Sequence, residues 1–466
     1  MSSTTQELPH SGAAPGAGVR GRSKLGGRWI DDWRPEDPAF WSSIGRRVAN
    51  RNLWFSVATE HIGFSVWSLW SVMVLFMGPT YHVDAAGKFL LTALPTLVGS
   101  VLRIPYTFAV ARFGGRNFTI ASALLLLIPC IFIAVVMSPG VSYSTLLIAA
   151  ATAGVGGGNF ASSMTNINSF YPAKEKGWAL GLNAGGGNLG VAVVQLVALL
   201  VLATAGASHP RVMVAIYIPL IVLGALGAAL TMDNLTVASN AKGAMRRVSK
   251  DAHTWIIALL YIGTFGSFIG FGFAFGQVLQ VQFTGTFSTP VKAAYLTFLG
   301  PLIGSLIRPV GGRLADRFGG ASVSFFNFVL MAVSTAVVLG GSLSKSLPVY
   351  LIGFVLLFAF SGVGNGSVYK MIPAIFRSKA SRKVAAGAEP GQTHAEAHRL
   401  SGALIGIAGA IGAFGGVLVN LAFRSSFLAY KNANAAFVAF IAFYVLCLVV
   451  TWAVYLRRSP ARLEGV

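Results

Sequence analysis

GSVLRIPYTFAVARFGG (residues 99–115) returns 205 residues later as GSLIRPVGGRLADRFGG (304–320). Seven positions are identical at that fixed offset: the Gly-Ser pair, Arg103/Arg308, and the Arg-Phe-Gly-Gly of Arg112/Arg317. A match of this length at one spacing marks an internal duplication. Each copy runs along an apolar stretch and carries one arginine well inside it. The duplication predicts two corresponding halves, and the arginines set the chemical problem.

The composition bounds the class. Of 466 residues, 55% are hydrophobic and 11% charged, and the mean hydropathy is +0.69. Soluble domains carry roughly 25% charged residues, so the chain is expected to be an all-α membrane protein. Twelve apolar runs are each long enough to cross a ~30 Å hydrocarbon core: about 53–77, 87–111, 117–137, 144–170, 178–204, 212–231, 254–282, 291–312, 322–341, 347–373, 401–423 and 434–456. The predicted organisation is a cytoplasmic tail (1–52), a six-helix half (53–231), a central cytoplasmic loop (232–253), a second half (254–456) and a cytoplasmic C-tail (457–466). The first residues lack the apolar core of a signal peptide and read as disordered. Cys130 and Cys447, both in apolar runs, read as small buried hydrophobes with no metal or disulfide pattern.

The net charge of +21 does not point to nucleic acid. With the N-terminus inside, 26 Lys and Arg fall in cytoplasmic segments and 6 in outer loops. That asymmetry predicts both termini in the cytoplasm and contact with anionic lipid. Residues 377–399, between spans 10 and 11, read as a mobile polar insert. The segment WIDDWRPEDPAFW (29–41) reads as an interfacial segment or a solvated tail with Trp near the headgroups. A weaker echo pairs Gly154-Val155-Gly156 with Gly362-Val363-Gly364.

Six plus six spans with matching motifs are the mark of a carrier whose site lies between the halves near the bilayer midplane. Arg103 and Arg308 each sit about nine residues, ~13 Å at 1.5 Å per residue, from a cytoplasmic helix end. A cation there needs a partner or a water-filled cavity. Of fourteen acids, only Glu60 is plausibly embedded. One carboxylate cannot neutralise two arginines, so a substrate anion is the expected counter-charge, against a purely structural network of carbonyls, amides and Glu60. The guanidinium fork suits a small planar oxyanion held bidentately. Lys370 is the one other cation deep in a span.

Glycines crowd AGVGGGNFASSMTNINSF (153–170), ALGLNAGGGNLGVAVVQ (179–195) and SGALIGIAGAIGAFGG (401–416). Most read as close helix packing. Asn159, Asn183 and Asn188 need partners in a membrane core, and each can bridge helices or bind an anion. GGRLADRFGG (311–320) is similar to the loop motif of the major facilitator superfamily. The first copy has Ala111 where Asp316 stands, which weakens a latch role for that loop. Arg112, Asp316 and Arg317 read as gating or structural residues at the cytoplasmic edge.

GVGGGNFASSM (154–164), GLNAGGGNLG (181–190) and GAIGAFGG (409–416), with the paired arginines, closely resemble the signatures of the nitrate/nitrite porter (NarK-type) family of that superfamily. EHIGFSVWSLWSVMV (60–74) and WRPEDP (33–38) are similar to its actinobacterial branch. The resemblance covers all twelve spans. It implies the major facilitator fold, with nitrate and nitrite as substrates in nitrate assimilation. It also implies that Arg103 and Arg308 clamp the anion, with Asn188, Tyr261, Phe265 and Phe160 around it, the phenyl rings sandwiching the planar ion. Gly185, Gly187, Gly409 and Gly412 fall in the signature stretches as gating or structural positions. Ala184 departs from the family's glycine before Asn188.

Two unpaired cations oppose closure of an empty cavity, which favours nitrate/nitrite exchange. The alternatives are a nitrate/proton symporter or a carrier of another small anion. Glu60 and His61 are the intramembrane candidates for a proton relay, or a hydrogen-bonding pair at the inner end of span 1. Nothing reads as a nucleophile–base set, a phosphate loop or a metal cluster, so neither an enzyme nor a cofactor is expected. The expected location is the cell inner (plasma) membrane, as a monomer.

Overall fold

A computed structural model describes residues 28–236, 242–457, 463 and 466. The expected disorder of the first residues falls outside the described residues, as does most of the C-tail. The described chain is helical but for one short parallel pairing of β1 (Trp29–Ile30) with β2 (Asn234–Leu235).

The first half holds α1 (Arg46–Trp67, resuming as Trp70–Phe76), α2 (Ala85–Phe113), α3 (Gly115–Val136), α4 (Tyr143–Thr152, resuming as Val155–Phe170), α5 (Ala173–Thr204) and α6 (Arg211–Thr231). The second holds α7 (Ala252–Gln282), α8 (Pro290–Phe318), α9 (Gly320–Leu343), α10 (Leu347–Ala385), α11 (Pro390–Tyr430) and α12 (Asn434–Leu456). Ten of these are unbroken enough, long enough and apolar enough to cross a membrane. The other two, α1 and α4, are interrupted.

The repeat shows its logic at the helix ends. Gly114 and Gly319 take φ of +86° and +85°, a conformation glycine adopts without strain. Each stops the second helix of its half and starts the third. The repeat extends into packing. Gly157 of α4 lies so close to Gly99 that an added Cβ would stand 2.7 Å from its Cα, and Gly362 of α10 lies as close to the Gly304 carbonyl. Gly158 meets Tyr106 as Gly311 meets Val363. All four correspondences keep the offset of 205, so the Gly-Val-Gly echo read at 154 and 362 is out of register by three residues. Each turn after the second helix is also capped alike. The Asn117 amide donates to Asn234 Oδ1 at 3.2 Å, and the Ala321 amide donates to the Val466 carbonyl at 3.2 Å.

Two expectations are corrected. The insert 377–399 is a helical hairpin, α10 running on to Ala385 and α11 starting at Pro390 with the Glu389 side chain capping it. Its end is anchored where Lys379 pairs with Asp251 and Arg247 donates to Glu396 at 2.5 Å. The Trp-bearing segment 29–41 docks two of its tryptophans on protein, while Asp31, Asp32, Arg34 and Glu36 stay exposed. Trp33 and Trp41 are buried. Trp33 donates to the Phe170 carbonyl at 3.2 Å, and Trp41 to Glu175 at 3.0 Å. Burying both indoles against α4 and α5 removes large apolar rings from water while each N–H keeps a partner.

The halves are joined mainly on the side of Arg103 remote from the termini. There Thr92 donates to Asn420 at 2.7 Å and Gln195 to the Gly272 carbonyl at 2.7 Å. Phe89 stacks on Phe423 and Phe427, and Trp67 meets Phe273 edge-on. The phenylalanines of α7 all pack inside the protein: Phe265, Phe268, Phe271, Phe273 and Phe275 are at most 2% exposed.

Candidate anion site between the two halves

Arg103 is fully buried. Its Nε donates to the Gly157 carbonyl at 3.0 Å and its Nη1 to the Gly409 carbonyl at 2.6 Å, which reaches across to the other half. Its guanidinium lies 4.5 Å from the Phe160 ring, 5.1 Å from Phe265 and 5.2 Å from Trp67. Three aromatic faces offer a desolvated cation a favourable quadrupole. Nη2 is buried and unpartnered.

Arg308 has a different setting. Its Nη2 donates to the Tyr261 hydroxyl at 3.2 Å, and its guanidinium lies 5.6 Å from the Tyr369 ring. Nη1 is buried and unpartnered. No carboxylate lies within 4 Å of either arginine among the described residues. Each cation thus keeps one donor nitrogen free in a place where an unmet donor is costly.

Tyr261 and Phe265 connect the two environments. Their rings stack at 5.2 Å, 8° from parallel, and a π-helical turn at Ile262–Gly266 runs between them. Such turns are frequent at functional sites. Phe160 and Phe265 lie 6.1 Å apart and 28° from parallel, flanking the Arg103 guanidinium. Asn188 is fully buried on α5, and both atoms of its amide are unpartnered. Gly412 makes room for Tyr261, since a Cβ there would lie 2.4 Å from the ring. Gly409 gives its carbonyl to Arg103.

Other expected site residues lie elsewhere. Asn183 donates to Glu60 at 2.6 Å and so bridges α5 to α1. Asn159 packs on Gly63 with its carbonyl oxygen unpartnered. Gly187 presses on Glu60, and Gly185 has open space around it. Glu60 and His61 do not pair: Glu60 accepts from Ser163 and Asn183, while His61 Nδ1 contacts the Gly186 carbonyl at 3.0 Å. Asp316 pairs with Lys370 at 2.9 Å. Arg112 and Arg317 lie over the neighbouring Phe113 and Phe318 rings, at corresponding places in the two halves.

Sequence reasoning missed Trp67, Tyr369 and Asn365. Tyr369 is in ring contact with Tyr261 at 5.8 Å. Asn365, one turn before it on α10, is fully buried with both amide atoms unpartnered. The signal available was spacing: Asn365 and Tyr369 are one turn apart, and Trp67 follows Glu60 by two turns.

The Major Facilitator Superfamily model matches residues 53–388. The nitrate/nitrite transporter NarU of Salmonella typhimurium is 38% identical over 452 residues, spanning 92% of this chain and 97% of that protein. The chain belongs to the nitrate/nitrite porter family of the Major Facilitator Superfamily. The probable nitrate/nitrite antiporter NarK2 of Thermus thermophilus is 32% identical over 94% of this chain and 98% of its own. Among solved structures, a bacterial homolog of the human lysosomal transporter Spinster and a D-xylose-proton symporter superpose with TM-scores of 0.62. Their identities are 16% and 18%, and they cover 87% and 89% of this chain and 96% and 97% of their own. At those identities they share the fold alone. This porter is therefore a multi-pass membrane protein of twelve helices in two halves, built as a transporter.

Proposed function

We propose that the porter carries nitrate and nitrite across the cell inner (plasma) membrane by alternating access, exchanging one for the other, as part of nitrate assimilation. Arg103 and Arg308 clamp the anion, Tyr261 and Asn188 donate to it, and Phe160 and Phe265 border its faces. The observation that carries this reading is the pair of buried guanidiniums, one from each half, each with an unpartnered nitrogen and no carboxylate in reach. A small planar anion meets both forks. The names of the 38% and 32% identical relatives supply the anion's identity.

The mechanism follows from charge. With the site empty, moving the halves past one another carries two poorly compensated cations through a desolvated state. A bound anion removes much of that penalty, so reorientation is faster loaded than empty. Both termini are placed in the cytoplasm by the lysine and arginine asymmetry, and the porter works as a monomer. Asp316 with Lys370, and Arg112 and Arg317, lie at the cytoplasmic mouth, away from the anion.

The test is counterflow in proteoliposomes. Labelled nitrate should enter vesicles preloaded with nitrite or nitrate, with saturation, and should not enter vesicles preloaded with chloride. Equal uptake with every internal anion would sink the exchange reading. Uptake driven by an organic anion in place of nitrite would redirect the substrate assignment.

A further inference from the structure

The two arginines sit among different rings. Arg103 is flanked by Phe160, Phe265 and Trp67, none of which carries a hydroxyl. Arg308 lies beside two tyrosines. The Tyr261 hydroxyl accepts from its Nη2 at 3.2 Å, and the Tyr369 ring lies 5.6 Å from its guanidinium. The clamp as described makes no use of Tyr369.

Packing fixes the place of Tyr369. Gly366, three residues earlier on α10, lies so close to α8 that a Cβ there would stand 2.4 Å from the Arg308 carbonyl oxygen. One residue later, Lys370 pairs at 2.9 Å with Asp316, two turns beyond Arg308 on α8. Thus α10 is held against α8 on both sides of Tyr369. Its ring meets Tyr261 at 5.8 Å, 44° from parallel. That contact completes a chain of rings, Phe160, Phe265, Tyr261 and Tyr369, running from one arginine to the other. The Tyr369 hydroxyl lies within the fields of both Arg103 and Arg308. It is buried and has no partner. A hydroxyl in such a place is costly until something accepts its proton.

The free donors can be matched to oxygens. Arg103 commits Nε and Nη1 to the Gly157 and Gly409 carbonyls and keeps Nη2 free, while Arg308 keeps Nη1 free. One free nitrogen from each arginine meets one oxygen each, which serves a bent anion with two oxygens, nitrite. A trigonal anion, nitrate, brings a third oxygen that shares the charge and needs a donor of its own. Asn188 stands on α5 of the first half. Beside Arg308, the unpartnered hydroxyl is that of Tyr369. We propose that Tyr369 is a selectivity residue whose hydroxyl donates to the third oxygen of nitrate, an oxygen that nitrite lacks. The proposal rests on the reading of Arg103 and Arg308 as the anion clamp. Nitrate gains a hydrogen bond there that nitrite cannot make, and such a difference in pairing is what separates closely similar ligands. Ring and hydroxyl divide the work. The ring lies against the Arg308 guanidinium whichever anion is bound, and the hydroxyl counts for nitrate alone.

The experiment measures nitrate and nitrite binding by titration calorimetry on the purified full-length wild type, Tyr369→Phe and Arg308→Lys, with thermal unfolding of each in the absence of anion. Phenylalanine keeps the ring over Arg308 and removes one oxygen atom. Tyr369→Phe is expected to raise the nitrate Kd about tenfold or more and to leave the nitrite Kd within about twofold. The preference for nitrate over nitrite then falls by about the same factor, whatever its starting value. The variant should unfold no earlier than the wild type, because it deletes a hydroxyl that has no partner in the empty site. Arg308→Lys should weaken both anions. An unchanged nitrate Kd in Tyr369→Phe, with Arg308→Lys impaired, overturns the proposal and leaves the clamp standing. An equal loss for both anions in Tyr369→Phe overturns it as well, since the hydroxyl would then serve the site's shape or both ions alike. A wild type that binds neither anion overturns the clamp and the proposal together.

Discussion

Arg103 of the first half donates through Nη1 to the carbonyl oxygen of Gly409 in the second half, at 2.6 Å. An arginine meant only to hold its own half together would not reach across to the other half. One face of the guanidinium is thus committed to the partner half, while Nη2 stays free. Lysine keeps the charge and loses the fork. A charge-assisted hydrogen bond is worth about 1.5–3 kcal/mol. Arg103→Lys and Arg308→Lys are therefore each expected to raise the nitrate Kd by roughly tenfold to a hundredfold. Titration calorimetry on the purified variants checks this, and wild-type affinity in both would remove the clamp from the mechanism.

The glycines of GAIGAFGG are not interchangeable. A Cβ at Gly412 would stand 2.4 Å from the Tyr261 ring, whereas one at Gly409 meets Phe160 at 3.5 Å, an ordinary contact. Overpacking costs about 1–3 kcal/mol. Gly412→Ala is expected to displace the ring that receives Arg308 and to weaken nitrate binding about tenfold. Gly409→Ala should bind within about twofold of wild type and unfold no earlier, since alanine is the better helix former. Binding and thermal unfolding of the two variants, side by side, test the contrast.

At the terminal face, Arg51 pairs with Asp233, which is 5% exposed, and the Asp233 amide donates to Asn52. With β1 beside β2, this contact ties the N-terminal segment to the chain leaving α6. Removing one partner of a buried pair leaves an uncompensated charge, at a cost of about 3–5 kcal/mol when burial is complete. The half-exposed Arg51 reduces that figure. Arg51→Ala is expected to lower the unfolding temperature by several degrees, with nitrate affinity per folded molecule unchanged. A loss of affinity without a loss of stability would give the segment a role in transport instead.

Asp251 lies at the start of α7, outside the membrane. Its burial alone would raise its carboxyl, but hydrogen bonds from Lys379 and the His253 amide, with the Lys379 charge, hold it below the usual value. A depressed carboxyl stabilises the fold above its unfolded titration near pH 4, and the stabilisation is lost as pH falls through the lower folded value. The wild type should therefore lose thermal stability below about pH 4. Asp251→Asn should start lower at neutral pH and lose less on acidification. Parallel melting curves for the two proteins would contradict this.

Much of the porter was legible before any coordinates. Seven identities at one offset placed Arg103 and Arg308 in matching helices, because a duplicated gene repeats its helix ends and its buried charges at one spacing. Twelve apolar runs were visible because a hydrocarbon core sets a minimum length for every crossing. The acid census left the arginines short of carboxylate, since charge can be counted without knowing where chains meet. Tertiary structure decided the rest. That Trp67 faces Arg103, that Tyr369 lies beside Arg308 and Tyr261, and that Glu60 turns to Ser163 and Asn183 instead of His61 all depend on the rotation of one helix against another. Periodicity gives a helix its faces but not its neighbours. The docking of Trp33 and Trp41 was equally hidden, because a tryptophan in a polar tail reads the same whether its ring meets lipid, water or protein. Local composition determined the fold and the charge problem, and only packing between distant segments decided which atoms answer it.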